Sequence, residues 1–276
     1  KSNFLDAIYL ISRTVTSRNL KEAFAGHRGH PLESFYYGDL GFERMMEKDK
    51  IEMSFEVDVE ISQNVRDAVN KIIVEKRKGI DSAKGKNMVT EKYLRYNLGI
   101  EIDPKSGFLR VTNEKLAALT HKGEERKNRN AFLGPERDNG FVRLHLRKEG
   151  QGSPPTQHEI GLDHTIISTA LYEPHYPHIT AFRMELENWQ IFYLEPRVLM
   201  REEEPLAEVT RLGPRGENLA AFLNSLSIKD KKAYDNFNLT LTSILPKASK
   251  VEISLLPEGR LSLRLDEEGV SLSARL

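Results

Sequence analysis

The chain has 276 residues, and its 41 Lys or Arg balance 41 Asp or Glu, so the formal net charge is zero. This balance excludes the global positive field that draws strongly basic proteins to nucleic acid or anionic membranes, so any basic surface must be local. The lack of cysteine excludes disulfides, thiolate metal sites and thiol nucleophiles, and it fits a reducing, cytoplasmic setting. No stretch approaches the ~20 apolar residues of a membrane span and no secretory leader precedes the first helix, so we expect a soluble protein of one or two domains.

The first third of the chain predicts a helix, a strand and a second helix. Apolar residues recur at three- and four-residue steps from Phe4 to Val15, which predicts a helix that ends near Ser17. Glycines then predict a loop over 26–43. Apolar and polar residues alternate over 51–61, which predicts a half-buried strand. Residues 63–79 return to the helical period and end on basic residues and glycine.

Short strands dominate the middle of the chain, from residue 92 to residue 167. The strand-like stretches are "KYLRYNLGIEID", "FLRVT", "FVRLHLRK" and "HEIGL", separated by turn sequences such as "PKSG" and "EGQGSPPT". Alternating strands joined by short turns predict a mainly antiparallel lobe.

The last third mixes both periods. It predicts a helix over 178–189, a short strand over 190–196, helices over 216–226 and 233–246, and a strand meander over 250–276. The stretch "LSLRLDEE" could be taken for a Walker B motif, which requires a continuous apolar run in a parallel sheet. Because Arg260, Ser262 and Arg264 alternate with leucines, we interpret it as an antiparallel strand instead.

The first eight residues, "KSNFLDAI", place a Lys and a Ser directly before the first helix. A phosphate-binding loop, G-x-x-x-x-G-K-[ST], has this order where its strand ends and its helix begins. In such a loop, backbone N–H groups face the phosphates, the Lys reaches the β and γ oxygens and the Ser hydroxyl ligates magnesium. Taken alone the pattern is weak, since Ser is also an ordinary helix cap.

Further stretches extend the likeness along the chain. "KSNFLDAIYLIS" is followed in order by "LRYNLGIEIDPKSGFLRVTNEKLAAL", "HEIGLDHTIIS", "YEPHYPHITAFRMELENWQIFYLEPR", "LGPRGENLAAFLNSL" and "GVSLSARL". Together they resemble the AAA-family predicted ATPases of the ABC/SMC/RecF-like kind, whose Walker A motif ends in Gly-Lys-Ser-Asn. In that family, a signature motif follows the last of these stretches.

The resemblance implies an α/β fold, α+β within these residues: a P-loop NTPase head with an inserted antiparallel β-lobe. Residues 1–276 would form part of that head, with the Walker A helix in 1–26. The lobe would span 42–180, with a helical insertion near 62–90, and 181–276 would hold a helical segment and the β-meander. The Gly-rich half of the loop, the signature motif, the Walker B strand and the switch His would lie outside these residues.

The resemblance also implies roles for matching residues. Lys1 would stabilise the β- and γ-phosphates of ATP, Ser2 would ligate Mg²⁺ and the backbone N–H of Asn3 would contact the α-phosphate. Arg28 matches an Arg that lies near nucleotide or DNA in SMC-like heads, although a solvated loop Arg is the more ordinary interpretation. The stretch "FYLEPR" carries no Gln, so a Q-loop role stays unassigned, as does any catalytic residue.

Family members complete each ATP site with the signature motif of the opposite protomer, so the implied partners are nucleotide and a second copy of the head in a homodimer. Relatives also act on DNA, in repair or phage defence, and some work with a nuclease. The chain holds eight Lys or Arg against three acids between residues 71 and 95, and "HKGEERKNRN" adds a second basic segment. Such segments could hold phosphates, although a solvated surface is their usual role.

Four of the eight histidines fall close together: His158, His164, His175 and His178. Imidazoles beside carboxylates could bind zinc or manganese and activate water. The spacing matches no known ligand pattern, and nearby prolines indicate a shaped loop, so hydrogen-bonded structural histidines are favoured. Two alternatives to an ATPase remain: a non-enzymatic module that binds nucleic acid or protein, and a His-based metallohydrolase.

Overall fold

The computed structural model describes residues 2–25, 29–36, 38, 41–77, 88–138, 140–150 and 152–273. The chain forms two compact units, residues 1–189 and residues 190–276. Each has its own hydrophobic core. The boundary lies nine residues beyond the 180/181 division proposed from the resemblance. Within the described part of the chain, no helix is both long and apolar enough to cross a membrane.

In its described residues, the first unit combines five α-helices with a six-stranded sheet. In chain order its elements are α1 (Ser2–Thr16), α2 (Leu20–Ala25), α3 (Gly41–Met46), β1 (Ile51–Glu60), α4 (Gln63–Arg77), β2 (Tyr93–Ile102), β3 (Leu109–Ala118), β4 (Leu133–Asp138), β5 (Phe141–Leu146), β6 (Thr156–His158) and α5 (Pro177–Glu187). Short 3-10 turns at Pro31–Ser34, Ile166–Ser168 and Glu173–His175 connect them. The strands follow the spatial order β1-β2-β3-β4-β5-β6, and each pair is antiparallel.

The predicted antiparallel lobe is confirmed, and its alternating sequence explains its layering. Along β1, Ile51 and Val59 are buried while Glu52 and Glu60 on the opposite face are exposed. The inward side chains join α1, α4 and α5 in one core. Helix α1 packs its second half into that core through Leu10, Ile11 and Val15.

The second unit is smaller and is centred on one strand. Its elements are β7 (Glu204–Pro205), α6 (Leu219–Lys229), α7 (Lys231–Ile244), β8 (Ala248–Leu255), β9 (Arg260–Glu267) and β10 (Val270–Ser273). Strand β9 pairs antiparallel with β7, β8 and β10. Leu261 and Leu263 of β9 pack with three buried residues of α6: Ala220, Ala221 and Leu223. The interpretation of "LSLRLDEE" as an antiparallel strand is therefore confirmed.

The coarser assignment of mixed α and β structure holds, and every strand pairing among the described residues is antiparallel. Two expected strands need correction. Residues 190–196 form no strand: the N–H groups of Tyr193 and Glu195 donate to carbonyls of the 214–215 turn without building a ladder. The strand expected at 158–162 instead occupies Thr156–His158.

Candidate functional site

Of the residues implied in phosphate binding, the structure describes Asn3 and the backbone of Ser2, which lie in the first turn of α1. Lys1, Arg28 and the side chain of Ser2 are outside the described part of the structure. Helix α1 begins at Ser2, and its first-turn residues Asn3 and Phe4 are exposed. The first N–H groups of a helix have no intrahelical partner and carry the positive end of its dipole, so this end can accept an anion.

The rest of α1 is held firmly. The Ser12 hydroxyl donates a hydrogen bond of 2.7 Å to the carbonyl of Leu186 in α5. The Thr165 hydroxyl donates one of 2.8 Å to the carbonyl of Thr14. Because both bonds are buried and long-range, the carboxyl half of α1 is a fixed support for its exposed amino end.

Asn3 also lines a groove of about 580 Å³ between α1, the segment 33–36 and β1. Its charged lining residues are all acidic: Asp6, Glu33 and Glu52. Three carboxylates repel phosphate oxygens, so the groove itself is unsuited to a triphosphate. Of the predicted site residues, Asn3 is the one whose side chain the structure describes, and it lies beside acidic residues.

The four clustered histidines do not converge on one point. His178 is buried, whereas His164 pairs with Asp163 at 2.7 Å on the surface. His175 stands edge-on to the Tyr172 ring, and burial lowers its pKa as it does that of His158. Within the described ranges, no group of three or more His, Asp or Glu is arranged to hold a metal ion.

His178 has a structural role that its hydrogen bonds define. Its Nε2 accepts from the backbone N–H groups of Thr90 and Glu91, both at 2.9 Å. The ring proton must therefore lie on Nδ1, which donates to Glu149 at 2.5 Å. Because both ring nitrogens are engaged in hydrogen bonds, His178 cannot serve as a general base. Its role is to hold the backbone of Thr90 and Glu91, just before β2 begins.

Glu149 and Glu91 extend this contact into a network of charges. Arg129 bridges them, with its two terminal nitrogens 2.7 Å from Glu91 and 3.2 Å from Glu149. Arg126 also pairs with Glu91 at 3.0 Å. No sequence pattern indicates this network, because its bonded partners lie 20 to 87 residues apart in the chain and its charged residues have the character of ordinary surface residues.

Glu114 is a second buried carboxylate that the sequence analysis missed. Its oxygens accept hydrogen bonds from the Tyr96 hydroxyl at 3.1 Å and from the N–H groups of Ile166 at 2.7 Å and Ile167 at 3.2 Å. Burial raises the pKa of Glu114 to about 7, although these donors oppose the rise. The group lines no cavity described above, so we assign it to stability and not to catalysis.

The two basic segments meet at a pocket of about 410 Å³ beside the start of β2 and the end of β3. Lys92 from the first segment lies there with Lys122 and Arg126 from the second. Lys92 is paired with Glu60 at 2.8 Å and Arg126 with Glu91, whereas Lys122 forms no ion pair with any described residue. Most of the positive charge is thus compensated within the protein.

Comparison of the chain with protein-family models, with curated proteins and with solved structures finds no match in any of the three.

Proposed function

We propose that this chain is part of a nucleotide-binding head of the ABC/SMC/RecF-like ATPase kind, with the amino end of α1 as its phosphate-binding element. The observation that carries the proposal is the position of α1. It begins at Ser2, directly after Lys1, with an exposed first turn and a buried second half. A Lys ammonium, a Ser hydroxyl and the first N–H groups of a helix are the groups that a Mg²⁺-bound triphosphate requires.

The order of elements gives further support. The helix is followed by an antiparallel lobe, as the resemblance implies, and then by the helices and meander of the second unit. The proposal places the Gly-rich half of the loop, the Walker B strand and the signature motif in segments outside these 276 residues. Hydrolysis would then need two heads, because each site is completed by the opposite one.

The test is nucleotide binding by the full-length polypeptide. We expect Lys1→Ala to weaken MgATP binding at least about tenfold, because the ammonium neutralises the terminal phosphates. Lys48→Ala removes an exposed Lys beyond α3 and serves as the matched control with unchanged affinity. Titration calorimetry measures both. Equal affinity of the two variants would contradict the proposal.

The 276-residue chain by itself should not turn over ATP, since the proposal places the Walker B carboxylate elsewhere. We expect phosphate release from MgATP to stay at the rate without protein. Turnover that Lys1→Ala abolishes would show instead that the complete catalytic machinery lies within these residues.

The pocket that joins the two basic segments favours nucleic acid as a second ligand. Lys122 is its cation without an ion pair among described residues, so it is the one free to contact a phosphate. We expect weak binding of a short DNA duplex at low salt, weakened further by Lys122→Ala and left unchanged by Lys105→Ala in the β2–β3 turn. Fluorescence anisotropy across a salt series measures this, and absence of binding at low salt would contradict it.

A further inference from the structure

The second unit contains a pocket of about 370 Å³ whose charged lining is mainly arginine. The lining combines three arginines with one valine and two glutamates: Arg197, Arg201, Arg260, Val198, Glu202 and Glu203. All six residues belong to the unit of residues 190–276, so the pocket is complete within that unit. It shares no residue with the amino end of α1, so what binds here does not depend on the proposed nucleotide site.

Two of the three arginines have no partner within the part of the chain that the structure describes. The guanidinium groups of Arg197 and Arg201 form neither a hydrogen bond nor an ion pair there. Arg260 differs, because its Nη2 donates to the Glu203 carbonyl and its Nε lies 4.0 Å from the Glu203 carboxylate. Arg260 and Glu203 therefore compensate each other's charge.

The two free guanidinium groups carry like charges and line one small pocket, so they repel each other. An anion placed between them replaces this repulsion with two attractions. Glu202 is the one carboxylate of the lining that has no partner among the described residues. Three arginines against two glutamates leave the lining with a net positive charge, which favours an anionic ligand.

The backbone that carries the free arginines is held in place. Residues Leu199–Arg201 form a 3-10 turn. The N–H groups of Val198 and Met200 both donate to the Glu195 carbonyl at 3.3 Å, and the Glu195 carboxylate pairs with Arg215 at 2.7 Å. A ligand that binds to a backbone already fixed in this way loses less affinity to ordering of the protein.

The number and kind of free groups indicate a phosphate monoester. A guanidinium presents forked N–H groups that match two oxygens of a phosphate or a carboxylate. A phosphate monoester carries nearly two negative charges and three acceptor oxygens at neutral pH, so it can pair with both free groups. A phosphodiester of nucleic acid carries one charge per phosphate and would leave one guanidinium uncompensated. The volume lies at the lower end of the range for small-molecule pockets, about 300–1,000 Å³.

From this geometry we propose that the pocket binds the phosphate group of a small-molecule phosphate monoester, with Arg197 and Arg201 as its two contacts. Glu202 lies beside them and repels any further negative charge. The remainder of the ligand is therefore neutral or positively charged.

The test is a titration of the 276-residue chain with glycerol 3-phosphate in a phosphate-free buffer of low ionic strength. Amide NMR signals of the ¹⁵N-labelled protein report the binding, and we expect saturable shifts over residues 197–203. Dimethyl phosphate, a diester with one charge, should bind at least about fivefold more weakly. A short blocked peptide with one phosphoserine should bind no more tightly than glycerol 3-phosphate.

Substitutions at neighbouring residues should have opposite effects. Arg197→Ala and Arg201→Ala should each weaken glycerol 3-phosphate binding about tenfold, because each removes hydrogen bonds between charged groups. Glu202→Gln should strengthen binding about two- to threefold, because it removes a repulsive charge. Arg137→Ala truncates an exposed Arg of β4 and is the matched control with unchanged affinity. Circular dichroism checks that the variants are folded.

The proposal is overturned if Arg197→Ala and Arg201→Ala bind glycerol 3-phosphate as tightly as the parent chain, or if Glu202→Gln binds it no more tightly. Equal affinity for the monoester and the diester would also overturn it, and this comparison needs no variant. A phosphoserine peptide that binds at least about tenfold more tightly than glycerol 3-phosphate would overturn the assignment to a small molecule.

Discussion

The buried carboxylate of Glu114 ties the sheet to the turn at Ile166–Ser168 through three donors. Its position depends on a bulge in β3. Ile100 pairs with Val111 and Gly99 pairs with Asn113, so Thr112 is an extra residue that shifts the alternation by one. Val111 and Glu114 then face the core together, whereas strict alternation would turn Asn113 inward. A period-two pattern could not have found Glu114, because the bulge depends on the partner strand.

The raised pKa of Glu114 predicts a pH dependence of stability. An exposed Glu in the unfolded chain titrates near 4.5, and Glu114 in the fold titrates near 7. Between these values the folded chain binds more protons than the unfolded one, so the free energy of unfolding falls as pH rises from about 4.5 through about 7. The loss should be on the order of 3 kcal/mol. Urea unfolding across this range measures it.

The variant Glu114→Gln cannot ionise, so its unfolding free energy should lose this part of the pH slope. Glu258→Gln, in an exposed turn, is the control and should keep the slope of the parent. If Glu114→Gln showed the parent's slope, the pH dependence would belong to another group.

Most of the elements were predictable because their periodic patterns are long. Helices α1, α4, α5, α6 and α7 and strands β1, β2, β8 and β9 each lie where the alternation or the helical period predicts them. The prediction of a strand over 190–196 was wrong because a short apolar stretch becomes a strand only if the edge of another strand is available for pairing. Helix α3 overlaps the loop that the glycines predicted. It has only six residues, which is too few for a helical repeat of apolar residues to be recognised in the sequence.

At the bulge, position 99 has no room for a side chain, so it requires glycine. A Cβ added there would lie 2.6 Å from the Thr112 hydroxyl oxygen and 3.3 Å from the backbone nitrogen of Asn113. We expect Gly99→Ala to reduce the free energy of unfolding by about 1–3 kcal/mol, as overpacking of buried positions does. Gly152→Ala, which meets nothing within 4 Å, is the matched control and should be neutral.

Because the closest contact is with a side chain, Thr112→Ala should restore part of the stability lost in Gly99→Ala. Denaturant unfolding of the two single variants and the double variant gives the coupling energy. Simple additivity would mean that the Thr112 hydroxyl is not what excludes a Cβ at position 99.

The two units differ in the size of their cores. Among the described residues, the first contains thirty-six buried hydrophobic residues in one cluster, and the second contains five. Local opening is easier where fewer apolar side chains are buried. In native-state hydrogen exchange of the whole chain, we therefore expect amides of β8 and β9 to exchange through openings of lower free energy than those of β2 and β3. Equal protection of the two sheets would contradict this.

The candidate site was less predictable than the fold. The sequence identified both basic segments, but only the hairpin geometry brings Lys92 beside Lys122 and Arg126. It grouped four histidines, of which the fold buries only His178 and saturates both its ring nitrogens. The functions proposed for Lys1, Ser2 and Arg28 rest on resemblance, because a pattern of two or three residues carries little information by itself.

The neighbour-by-neighbour order of the six-stranded sheet has a consequence for synthesis on the ribosome. Each strand after β1 pairs with the strand made just before it. Once Ala118 has left the ribosome, strands β1, β2 and β3 can pair with one another before any later residue is synthesised. Hydrogen bonds of Leu186 and Thr165 with helix α1 join the late part of the unit to its first helix. The sheet can thus form one strand at a time during synthesis, and α5 packs against it last.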